Sequence, residues 1–84
     1  MIRFITYTTQ PTNKRTPERK KTLDIMQDMR EFLRVFPRYK GISAEEYTAQ
    51  TIENYKDFKK CGIIKNLQLL NENGELVENG AEVR

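Results

Sequence analysis

The sequence predicts an α+β domain of order β-α-α-β-β, a small antiparallel sheet with two helices packed on one face. Three observations carry this. Ile2 to Thr8 is rich in β-branched and aromatic side chains. Apolar residues then recur at three- and four-residue steps between residues 25 and 58. Asn73-Gly74 lies between two apolar runs, the strongest short hairpin signal.

The first strand carries Ile2, Phe4, Thr6 and Thr8 on one face and Arg3, Ile5 and Tyr7 on the other. Residues 9–15 read as a flexible basic loop. Thr16-Pro17-Glu18 reads as a helix start: Thr16 caps, Pro17 fits the first helical position, and Glu18 suits the positive end of the dipole. The helix is expected to run to about Phe36, where Pro37 disfavours continuation. Its buried stripe is Ile25, Met26, Met29, Phe32, Leu33 and Phe36, and Lys20/Asp24 is a candidate i,i+4 pair on its solvated side.

Ser43 and Glu46 have capping-box spacing, with Ile42 and Tyr47 at the staple positions. The second helix should run from Ala44 to about Lys60, with Tyr47, Thr51, Tyr55 and Phe58 as one stripe and Ile52 beside it. Gly62 is the expected left-handed residue after it, closed by Ile63 against Phe58. Ile63–Leu70 and Glu75–Val77 read as paired strands, and residues 79–84 as a loose tail. In a regular strand Ile64 and Leu70 face away from Ile63, Leu67 and Leu69. Two helices cover one sheet face only, so this two-sided apolar pattern predicts a homodimer.

An 84-residue chain is expected to form a single domain, 1–84, with a small core. Apolar content is 37% and charged content 32%, enough for a fold and polar for a globular one. No run is long and apolar enough to span a bilayer, and the first residues lack a signal peptide's apolar stretch. One Cys forms no internal disulfide, which points to a reducing cytoplasm and excludes a disulfide scaffold.

Charge is split along the chain. Residues 1–40 carry a balance of +6 and residues 41–84 a balance of −3, which the overall +3 conceals. The densest basic run is Lys14-Arg15-Thr16-Pro17-Glu18-Arg19-Lys20-Lys21. There is no His, so the usual general base and the commonest metal ligand are missing. One Cys without His makes no zinc site, and no Gly-rich phosphate loop occurs. Ser43 is accounted for as a cap. Cys61 reads as a small buried or half-buried residue, and the carboxylate pairs Asp24/Asp28 and Glu45/Glu46 as solvated helix surface. No catalytic residue, metal or cofactor is expected.

The expected function is non-enzymatic binding of RNA or single-stranded DNA in an accessory or regulatory role. The candidate residues are Lys14, Arg15, Arg19, Lys20 and Lys21 at one end of the first helix and Arg34, Arg38, Tyr39 and Lys40 at the other. A helix over 17–36 is about 30 Å long, so the two clusters would bracket a length of backbone. Tyr39 offers a stacking ring between two cations. The alternative is a protein-binding inhibitor or antitoxin-like antagonist, in the style of a small phage protein. It would dock through the apolar sheet face or the acidic C-terminal region of Glu72, Glu75, Glu78 and Glu82.

Helix, connector, helix, then Cys61-Gly62-Ile63-Ile64 and a hairpin resembles the second half of a winged helix-turn-helix domain over residues 24–78. The resemblance implies a second helix lying in the major groove. That helix opens with Glu45 and Glu46, which repel phosphate, and Pro37–Ile42 is long for the turn.

Overall fold

The computed structural model describes residues 2–10 and 17–78. The elements are β1 (Ile2–Thr9), β2 (Lys20–Asp24), α1 (Ile25–Val35), a 3-10 turn (Pro37–Tyr39), α2 (Ala44–Lys60), β3 (Ile64–Asn71) and β4 (Leu76–Glu78). They form a four-stranded antiparallel sheet of order β2-β1-β3-β4 with both helices on one face, an α+β fold as expected. The expected cap Thr16, most of the basic loop and the tail from Asn79 lie outside the described residues.

The first expected helix is corrected at its start. It begins at Ile25, and Lys20–Asp24 is a strand paired with β1. The physical reason is that the apolar stripe begins only at Ile25. Residues 17–22 have nothing to bury on a helix, whereas as a strand they set Leu23 opposite Ile5. Asp24 supplies the cap, its Oδ1 accepting from the N–H groups of Met26 and Gln27 at 3.1 and 3.3 Å. The helix ends at Val35 before Pro37, as expected.

The face assignment of β3 is corrected as well. Thr6 pairs with Gln68 and Thr8 with Lys65, so Tyr7 alone faces Asn66 and Leu67. Asn66 takes φ 57°, the left-handed conformation that such a β-bulge needs and that Asn tolerates. The extra residue reverses the alternation. Ile64 therefore joins Leu67 and Leu69 on the helix side, and Ile63 is exposed. A second irregularity at Arg3 does the same for Ile2, which pairs with Asn71 while Phe4 pairs with Leu70. The core is Ile5, Ile25, Ile64, Leu67 and Leu69. Each contributes about 1.5–3 kcal/mol by burial. With five such residues, stability is modest.

The capping box, the close of α2 and the hairpin turn are as expected, and β3 runs one residue later at each end, Ile64–Asn71. Ser43 Oγ accepts from the Glu46 N–H at 3.0 Å, and Glu46 Oε1 accepts from the Ser43 N–H at 3.3 Å. Gly62 (φ 79°) ends α2, with Ile63 N–H donating to Phe58 O and Gly62 N–H to Lys59 O, the Schellman pattern. Asn71 Oδ1 accepts from the N–H groups of Asn73 and Glu75, closing the hairpin around Gly74. The returning strand starts one residue later than expected, at Leu76.

Candidate nucleic-acid interface

β2 is an edge strand, and the described part of the basic run leads into it and ends on it at Lys20 and Lys21. Its entry is pinned by two backbone contacts. Thr9 N–H donates to Arg19 O at 2.9 Å, and Arg19 N–H donates to Thr9 Oγ1 at 3.1 Å. Lys20 stands opposite Thr8 and Lys21 opposite Tyr7, so the two ammonium groups leave on opposite faces of one edge. Arg19, Lys20 and Lys21 are exposed, and none forms an ion pair among the described residues. Glu18, the single acid of the run, is paired with Lys65. Edge lysines also guard a sheet against pairing with another edge. A charge or two suffices for that, and this run holds five cations in eight residues.

Lys14 and Arg15 lie outside the described residues. Arg34 is held by Glu31, whose carboxyl sits below its usual range through the hydrogen bond from that guanidinium. Arg38 lies over the Tyr39 ring, Cζ 5.1 Å from its centroid, and donates from Nη2 to the phenol oxygen at 3.4 Å. Tyr39 packs on Phe32 (centroids 5.4 Å) and is 43% exposed, while Lys40 is exposed and unpaired among the described residues.

The structure does not bring the two clusters together as expected. α1 has 11 residues, about 16 Å, and the first cluster is not on it. Tyr55 meets Tyr7, the partner of Lys21, while Tyr47 meets Phe32, the neighbour of Tyr39. Eight residues of α2 separate Tyr47 from Tyr55, about 12 Å along its axis. The clusters therefore sit toward opposite ends of α2, and the bracketed 30 Å helix is replaced by two separate patches.

Of the acids expected on solvated helix surface, Asp24 and Asp28 are instead partly buried and bonded, while Glu45 and Glu46 are exposed. Asp24 caps α1 and also accepts from Arg3 Nε and Nη2 at 2.8 and 3.2 Å. That hydrogen bond lowers its carboxyl below the ordinary value, and the guanidinium is raised in turn. Asp24 is thus committed to Arg3 rather than to Lys20. Asp28 accepts from the Tyr47 hydroxyl. Burial, then that hydrogen bond, pushes Tyr47 upward, and burial with a bond to Tyr7 pushes Tyr55 up to about 12. Cys61, expected to be buried or half-buried, is exposed at the C-cap of α2.

A groove of about 480 Å³ lies where Tyr7, Tyr55, Phe58 and Ile63 converge. Among the described residues no charged side chain lines it. Glu45 and Glu46 stand exposed at the start of α2, which opposes a groove-reading role for that helix. Among the described residues no group of His, Cys, Asp and Glu is arranged to hold a metal ion, and no helix is long and apolar enough to cross a membrane. The sequence reading does not bring Arg3 to Asp24, because Asp24 ends β2, a strand that it takes as helix. Comparison with protein families, with curated proteins and with solved structures finds no match to this chain.

Proposed function

We propose that this is a non-enzymatic nucleic-acid-binding protein that holds the phosphate backbone of RNA or single-stranded DNA along the β2 edge, in an accessory or regulatory role. The observation that carries the reading is the set of three consecutive exposed cations, unpaired among the described residues: Lys20 and Lys21 on the edge strand β2, and Arg19 immediately before it. A charge fixed on a strand needs little reordering to meet phosphate. Lys14 and Arg15 extend the run in sequence. Binding of this kind is driven by release of counterions and is independent of base sequence. The single Cys suits a reducing compartment, and the reading assigns the protein to the cytoplasm.

A homodimer stays a proposal with a smaller motive: the bulges turn Ile2 and Ile64 into the core side, while Phe4 and Leu70 keep the far face partly apolar. A protein partner is the second reading. It is favoured by edge strand β4, where Leu76 and Val77 are 55% and 53% exposed. Capture from the native cell with and without nuclease separates the two.

The direct experiment compares the protein with a variant in which Arg15, Arg19, Lys20 and Lys21 are all Ala. Binding to a single-stranded oligonucleotide should fall steeply between about 50 and 200 mM salt. The variant should lose most affinity at low salt and flatten the salt slope by up to about three. Its circular dichroism should be unchanged. Unchanged affinity with an intact spectrum contradicts the assignment to β2.

A further inference from the structure

We infer that the sheet face opposite the helices is a stacking platform for the bases of a single strand, with Phe4 as the stacking side chain. The inference rests on the reading of β2 as the phosphate site and names the substrate class: single strands over duplex.

Cross-strand partners share a face, so the register defines the platform. The helices take the side of Ile5 and Leu69. The other side has three rows. At one end Lys20, Thr8 and Lys65 stand abreast. In the middle are Thr22, Thr6 and Gln68. At the far end Phe4 and Leu70 lie between Asp24 and Leu76. Among the described residues no helix packs on these rows. Four strand steps, about 13 Å, separate the first row from the last.

Thr6 is itself buried, so Lys20, Gln68 and Phe4 carry the contacts. Lys20 is a cation at the edge, on the same face as Phe4. Thr6 Oγ1 donates to Gln68 Oε1 at 3.3 Å, which commits the Gln68 oxygen and leaves its amide N–H groups as donors toward base edges. Phe4 is half-buried, and the Arg3 guanidinium lies over its ring, Cζ 5.5 Å from the centroid. Two hydrogen bonds to Asp24 fix that guanidinium. An aromatic ring and an Arg guanidinium, the two kinds of group on which unpaired bases stack, thus lie together at this end of the face. A strand whose phosphate is held at Lys20 directs its bases inward over these rows. A duplex keeps its bases stacked internally and gains only the edge charges.

The chain contains no Trp, so Phe4→Trp installs a unique fluorophore on the platform. Short oligothymidylate should quench it. Phe4→Leu keeps an apolar residue on β1 and should lower the ratio of single-strand to duplex affinity roughly tenfold, as loss of one stacked base does. Unquenched Phe4→Trp fluorescence in a protein that still binds the oligonucleotide overturns the platform and leaves the β2 assignment standing. A wild-type protein that binds no nucleic acid at low salt overturns both. Sedimentation of the free protein as a dimer that Leu76→Glu dissociates, with Phe4→Trp unquenched, assigns the face to a second copy of the chain and also overturns the platform.

Discussion

At the scale of single residues, Asp24 is the pivot of the fold. One carboxylate ends β2, caps α1 and clamps Arg3. The sequence signal at Thr16-Pro17-Glu18 competes with it, and the fold decides for Asp24 because the apolar stripe begins one residue later. Ser43 has no such competitor. Its partner Glu46 is three residues away, and both bonds of the capping box were legible without tertiary information. Ser43→Ala should lower stability by about 0.5–2 kcal/mol, and Ser43→Asp should recover most of that, since Asp keeps the acceptor and adds charge at the positive end of α2. Thermal melts of the two variants, paired with oligonucleotide binding, check this. Loss of binding in Ser43→Asp at normal stability would contradict a purely structural Ser43.

At the scale of elements, β3 shows where pattern reading stops. Ile63 to Leu70 was legible as a strand, and the turn after it was legible from Asn73-Gly74. The faces were not, because one left-handed residue reverses them. Asn66 supplies that residue, and no periodicity in the sequence announces it. The consequence is energetic. A strand without the bulge would send Ile64 to the far face and remove a residue that is 4% exposed from a core of five. Asn66→Gly should therefore be tolerated, whereas Asn66→Val should destabilise by roughly 1–3 kcal/mol, the cost of forcing a β-branched residue into this region. Chemical denaturation of the two variants measures it, and a Val variant as stable as the Gly variant would refute the bulge. The candidate site was partly legible by the same logic. The basic run is plain in the sequence. Its presentation on a strand, and the neighbours this gives it, depend on pairing between residues far apart in the chain.

At the scale of the whole molecule, the charge split of the sequence becomes a direction in space. Lys20 and Lys21 lie on one edge strand with Arg19 at its entry, and the hairpin with Glu72 and Glu75 leads into the opposite edge. The sheet carries positive charge along one border and negative charge at the other, with β1 and β3 between. An anion approaching within a Debye length, about 8 Å at physiological salt, is oriented by that gradient before contact. The Arg38–Tyr39–Lys40 patch is cationic too, but it lies at the other end of α2 with one of its neighbours, Arg34, already bound to Glu31. The account therefore places the nucleic-acid contact at β2 and not at the 3-10 turn. The measurement that tests this most directly is an NMR titration of the isotopically labelled protein with a short oligothymidylate at low salt. The amides of Arg19 to Leu23 and of their partners on β1 should shift most, and those of Arg38 to Lys40 least. Shifts confined to Arg38–Lys40, to β4, or absent throughout would contradict it.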